Sequence, residues 1–76
     1  MDIIHRDFIH HISRKIQIDI DLLEQIHNKP KYLNIYISDL AYYIYQLSEN
    51  NNAHDNWLLA ENCVRDFINR NFLIDL

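Results

Sequence analysis

Glycine is missing altogether from these 76 residues, and proline, cysteine, methionine and tryptophan occur once each. Without glycine there is no P-loop, no G-x-G-x-x-G phosphate turn and no glycine-dependent type I′ or II′ hairpin, so the usual nucleotide-cradling devices are excluded. Left-handed backbone positions must fall to asparagine, the next most tolerant residue; Asn28, Asn50, Asn51, Asn52, Asn69 and Asn71 are the candidates. One cysteine, Cys63, permits no internal disulfide and reads as a small buried hydrophobe in a reducing compartment. No run of about 18 apolar residues is present, so no membrane span is expected. The opening Met1-Asp2-Ile3-Ile4-His5-Arg6-Asp7 is too acidic and too mixed for a signal peptide, and a cytoplasmic location is expected.

What is present is apolar bulk: 49% of the residues are hydrophobic, rich in isoleucine, leucine and tyrosine. A chain this short forms one domain, residues 1–76, and buries only about 60% of its unfolded surface. Small domains draw roughly 3–5 kcal/mol from a single core and commonly recruit a disulfide, a metal or a partner subunit. With no disulfide available, a partner subunit is the expected supplement. The net charge of −4 is unevenly spread. Residues 1–31 hold five basic and five acidic side chains with four histidines; residues 32–76 hold only Arg65 and Arg70 against Asp39, Glu49, Asp55, Glu61, Asp66 and Asp75. Direct nucleic-acid binding wants a clustered basic face, so this balance argues against it.

Periodicity points to helices. Ile4, Phe8, Ile12 and Ile16 recur at steps of four, with polar residues opposite, which predicts an amphipathic helix over 3–16. Residues 16–21 alternate apolar and polar like a strand but have no pairing partner nearby, and they read as a helix end and connector. Asp21-Leu22-Leu23-Glu24 has the form of a capping box, opening a short helix that buries Leu22, Leu23 and Ile26 and stops at Asn28-Lys29-Pro30. Leu33, Ile37, Leu40, Ile44 and Leu47 then alternate steps of four and three, a narrow helical stripe, with Ala41 allowing close approach of a neighbour. Residues 32–37 also have strand-like composition, so this helix is predicted to begin at Tyr32 or at Ser38 as N-cap; Asn50-Asn51-Asn52 ends it. A last helix is predicted from Asn52 or Asp55 to about Asn69, burying Trp57, Ala60, Val64, Phe67 and Ile68. The apolar tail from Phe72 is expected to pack on this domain or on a second copy.

Ala41-Tyr42-x-Ile44-Tyr45, a polar turn, and then Asp55-Asn56-Trp57-Leu58-x-Ala60-Glu61 resembles a small bacterial domain of unknown function. Its members carry an Ala-Tyr-x-aliphatic-Trp/Tyr helix, a Gly-rich turn and a helix marked by Trp-Leu-x-Ala-Glu. The match covers about a third of the chain, which departs from the pattern with asparagines in place of the glycine turn and Tyr45 where tryptophan is commoner. The resemblance implies a helical hairpin and no activity. In physical terms Trp57 would cover the preceding helix near Tyr45, and Glu61 would meet a tyrosine hydroxyl or a backbone N–H.

No catalytic, cofactor-binding or metal-binding residues are assigned. His5, His10 and His11 miss the i, i+4 spacing of a helical metal site. Cys63, His54 and Asp55 have the types of a nucleophile, base and orienter, but nine residues along one helix separate cysteine and histidine by about 13 Å. The tyrosines are more telling, because positions 36, 42, 43 and 45 spread almost around one helix and cannot all be buried. The expected fold is an all-α bundle of three to four short helices with a C-terminal antiparallel hairpin. The expected function is a non-enzymatic protein-protein interaction module, an adaptor or regulator that forms a homodimer or binds another protein. Its surface is assigned to Tyr36, Tyr42, Tyr43, Tyr45, Trp57, Glu61 and Phe72, since tyrosine and tryptophan are favoured at interfaces. Two other classes stay open: an acidic inhibitor that blocks a nucleic-acid-binding surface, as a phage-encoded antagonist of host defence would, and a DNA-binding helix-turn-helix using Arg6, Arg14, Lys15, Lys29 and Lys31.

Overall fold

The computed structural model describes residues 2–48 and 51–72, with side chains from Phe8 onward. Its helices are α1 (Asp2–Ile18), α2 (Ile20–Ile26), α3 (Pro30–Ser48) and α4 (Ala53–Asn71). Among the described residues there is no strand. The chain is a small all-α bundle, as its periodicity predicts. The segments with strand-like composition, 16–21 and 32–37, are both helical or junctional because each supplies isoleucines or leucines to a helical stripe that finds a core. Ile16, Leu33 and Ile37 are buried, whereas Ile18, the out-of-phase member of the alternation, is 75% exposed.

Asp19 alone separates α1 from α2. Its N–H donates to the Ile16 carbonyl (3.0 Å), closing α1, and its own carbonyl accepts from Leu23 N–H (2.9 Å), opening α2. The predicted capping box at Asp21 is therefore displaced. Asp19 is the N-cap, without a side-chain cap bond, and Asp21 lies in the first turn, where its charge favours the helix dipole. The phase of α2 shifts accordingly: Leu23 is fully buried, Ile26 half-buried, and Leu22, expected inside, is exposed.

Pro30 acts as both stop and start. It follows the end of α2 and opens α3 at the first helical position, where a missing N–H costs nothing and the fixed φ suits the helix. The helix thus starts before both predicted positions, and Ser38 sits in its middle. Leu33, Ile37, Leu40 and Ile44 are buried as expected and Tyr36 joins them; Leu47, in the last turn, is 39% exposed. At α4 the cap is Asn52, whose side chain accepts from Asp55 N–H at 3.0 Å. With φ −81° and ψ 98° Asn52 is extended, not left-handed. Asn69 and Asn71 are also not left-handed, because α4 continues to Asn71, whose side-chain amide donates to the Phe67 carbonyl (2.8 Å).

Two 19-residue helices joined by four residues must run antiparallel to touch along their length, and α3 with α4 forms the most extensive contact in the molecule. α1 packs on both of them and α2 on α3. Ile12 and Ile16 from α1, Leu23 from α2, the inner stripe of α3, and Ala60, Val64, Phe67 and Ile68 from α4 make one core. Ala60, fully buried, lets α3 and α4 close up. The side chains of Ile4 and His5, the residues Glu49 and Asn50, and the tail beyond Phe72 lie outside the described residues.

Ile37→Ala, at a fully buried position, should cost about 2–5 kcal/mol, comparable to the whole stability of a domain this size. Leu47→Ala should cost under about 1 kcal/mol. Urea unfolding of both variants checks the assignment of the inner stripe, and equal losses would contradict it.

Candidate functional site

Seven residues were predicted to form a surface, and they separate into three environments. Tyr36 is not on the surface. It is 7% exposed, and its hydroxyl donates to Asp19 Oδ2 at 2.7 Å, with Lys15 Nζ donating to the same oxygen at 2.8 Å. Tyr36 is buried with Ile37, next to it on α3, and its hydroxyl reaches the α1–α2 junction at Asp19. Burial alone would raise the Asp19 carboxyl, but the hydrogen bonds from Lys15 and Tyr36, with the lysine charge, outweigh it and hold the group below its ordinary range. Tyr36 moves the other way. Burial first, then its bond to the Asp19 anion and that anion's charge, push the phenol far above its ordinary value.

Glu61 and Phe72 are engaged within the fold. Glu61 meets neither a tyrosine nor a backbone N–H; its Oε2 accepts from Arg65 Nε (3.1 Å) and Nη2 (2.9 Å), one helical turn on. Phe72 stacks on His27 with ring centroids 4.9 Å apart and meets Phe67 edge-on at 6.1 Å, closing the end of α4 onto the end of α2. His27 Nδ1 donates to the Glu24 carbonyl at 2.8 Å, which fixes the ring for that stack. The expectation that the tail returns to the domain holds at Phe72.

Tyr42, Tyr45 and Trp57 do come together. They line a groove of about 350 Å³ between the C-terminal half of α3 and the start of α4, floored by Ala41 and Asn56. Tyr42 and Tyr45 are 62% and 42% exposed, with ring centroids 6.1 Å apart, whereas Trp57 is half-buried against the core. Tyr43, next along α3, turns the other way and packs on the core half-buried. Sequence reasoning placed Trp57 inside; the buried position at the start of α4 belongs instead to Asn56, 5% exposed. Among the described residues no buried side-chain nitrogen or oxygen lacks a hydrogen-bond partner.

Two exposed apolar residues on α3, Tyr32 (55%) and Ile35 (53%), were not predicted as surface. The signal was available. Tyr32, Ile35, Asp39, Tyr42 and Gln46 alternate steps of three and four, a second stripe on the side of α3 away from the buried one.

A larger cleft, about 440 Å³, lies between α1 and α4 and includes Ile9, Ser13, Cys63 and Phe67, with the Asp66–Arg70 ion pair (3.0 Å) at its edge. Burial, and then Asp66, pushes the Cys63 thiol up, so it stays protonated and is a poor nucleophile. His54 and Asp55 are exposed at the opposite end of α4, away from this thiol. Among the described residues no group of three His, Cys, Asp or Glu side chains could hold a metal ion, and no helix is long and apolar enough to cross a membrane. Comparison with protein-family models, with curated proteins and with solved structures gave no match to this chain.

A raised phenol pKa stabilises the fold below the unfolded tyrosine value of about 10, and that contribution is lost as pH climbs past it toward the folded value. Above pH 10 the wild type should therefore lose stability more steeply than Tyr36→Phe. Urea midpoints measured from pH 8 to 11 check this, and parallel curves for the two proteins would contradict it.

Proposed function

We propose that this chain is a non-enzymatic protein-interaction module, an adaptor or regulator of a larger assembly, that binds another protein through the outer face of α3 and the adjoining Tyr42–Tyr45–Trp57 groove. The observation that carries this reading is the row of Tyr32, Ile35 and Tyr42, each more than half exposed on one side of one helix. Single exposed apolar residues are unremarkable, but an aromatic and aliphatic row on one helix, interrupted only by Asp39, beside an apolar groove marks a contact surface. Tyrosine suits that role because it supplies a large rigid ring and a hydroxyl at low entropic cost.

The resemblance of residues 41–61 to the bacterial hairpin domain belongs to the same reading, since Tyr42, Tyr45 and Trp57 are the residues that carry it. An unpaired, protonated Cys63 fits a reducing compartment, and we assign the cytoplasm. The acidic-inhibitor alternative draws less support: Glu61 and Asp66 are each engaged by an arginine four residues on, which offsets two of the three acidic charges of α4. DNA binding draws least, because the exposed face of α3 between Lys31 and Ser48 carries no basic side chain.

The test is co-purification from cells that make the protein, comparing the wild type with the double variant Ile35→Asp, Tyr42→Asp after circular dichroism shows equal helicity. A protein, or another copy of the chain, held stoichiometrically by the wild type should be retained at least about tenfold less by the variant. Identical retained sets would overturn the reading.

A further inference from the structure

We infer that the Tyr42–Tyr45–Trp57 groove receives an arginine side chain of the partner protein, held against aromatic rings in a neighbourhood that has no free cation of its own. This rests on the reading of that groove as part of a docking surface and names the chemistry it takes. Shape is the first observation. At about 350 Å³ the groove is at the small end of ligand pockets, which run from roughly 300 to 1,000 Å³, so it suits one long side chain and not a helix about 10–12 Å across. The Tyr42 and Tyr45 rings have centroids 6.1 Å apart and planes inclined by 31°. That is too close for a flat group to stack between them, which needs about 7 Å, twice the usual contact distance. A guest therefore lies across the pair, with Trp57 beside it.

The lining is the second. Apart from alanine carbon it consists of these three rings and the neutral polar groups of Ser38, Asn51 and Asn56, with no charged side chain. The negative faces of aromatic rings attract a cation, tryptophan's most strongly. Arginine fits such a wall better than lysine. Its guanidinium is planar, stacks on rings and is weakly hydrated, so it gives up less on leaving water for a groove that offers no carboxylate, and its several donors suit neutral oxygens such as the Ser38 hydroxyl.

The third is charge complementarity. From Tyr32 to Val64, the larger part of both α3 and α4, the sequence has no lysine or arginine, whereas Asp39, Glu49, Asp55 and Glu61 are acidic and His54 is the only titratable base. Asp55, two residues before Trp57, is exposed, and Glu61 stands one helical turn after it. Arg65, the next arginine along α4, is already held by Glu61. The helix ends at the hairpin turn do not reverse this sign. The negative end of the α3 dipole and the positive end of the α4 dipole lie side by side and oppose one another, and Asn52 already takes the Asp55 N–H. The acidic surroundings draw a cation toward the groove, and the rings hold it there.

Trp57 is the chain's only tryptophan, so its fluorescence reports on the groove directly. The test is a titration of the full chain, followed by that fluorescence at about 150 mM salt, with hexa-arginine, hexalysine and the uncharged arginine isostere hexacitrulline. A saturable change is expected with the arginine peptide, at least about tenfold weaker with the lysine peptide and weakest with citrulline. Tyr42→Leu with Tyr45→Leu, checked for unchanged helicity, should weaken the arginine peptide at least about tenfold, whereas Tyr42→Phe with Tyr45→Phe keeps the rings and should bind within about twofold of the wild type. No saturable change with the arginine peptide, or equal affinity for citrulline, overturns the cation and leaves the groove to an apolar partner. Equal affinity for lysine overturns the choice of arginine, and affinity that survives the leucine pair overturns the groove as the site. The docking surface itself is judged separately, by the co-purification of the Ile35→Asp, Tyr42→Asp variant.

Discussion

The hydrogen bond from the Tyr36 hydroxyl to Asp19 Oδ2, 2.7 Å long, joins residues 17 apart in sequence and holds the α1–α2 junction against α3. The ion pairs Lys15–Asp19, Glu61–Arg65 and Asp66–Arg70 each span only four residues and support local helix rather than tertiary order. Asp19 is where α1 must end and α2 begin, and its carboxylate is aimed at Tyr36 in place of capping the helix it opens. A buried hydroxyl and a half-buried carboxylate satisfy one another there, with Lys15 completing the set. A chain with no glycine makes its sharp changes of direction at few points, and here one of them is fixed by a side chain from another helix.

That bond also sorts the tyrosines of α3. Once Tyr36 is drawn inward beside Ile37 and Leu40, the helix is oriented, Tyr32 and Ile35 are left exposed, and Tyr42 is left at the rim of the groove beside α4. The inner stripe and the outer stripe are therefore one decision. An α3 rotated to bury Tyr42 would leave the Asp19 carboxylate without its phenol donor and expose leucine and isoleucine instead. The candidate interaction surface is a consequence of how the core is built.

Most of the architecture was legible from periodicity. The inner stripe of α3, the break at Asn51 and Asn52 and the apolar positions 60, 64, 67 and 68 of α4 are where the sequence pattern places them, because each helix buries one face against neighbours brought close by short loops. The starts of α2 and α3 were displaced by one to eight residues. In both cases a local cap signal, Asp21 or Ser38, was outweighed by tertiary contacts and by proline's preference for the first helical turn. Tyr36 was misread for a related reason: a polar atom on a large side chain argues for the surface until its partner is known, and Asp19 lies too far away in sequence to be paired with Tyr36 by spacing. The groove of Tyr42, Tyr45 and Trp57 was legible because all three lie beside one turn.

The most direct measurement of this design is a double-mutant cycle in urea unfolding at neutral pH, using Tyr36→Phe, Asp19→Asn and the pair, with no change in the apolar core. If the Tyr36–Asp19 bond joins the α1–α2 junction to the hairpin, the two substitutions are coupled by about 1–2 kcal/mol, the contribution of a hydrogen bond to a charged group. A coupling near zero would mean that the junction is held by apolar packing alone, and would contradict it.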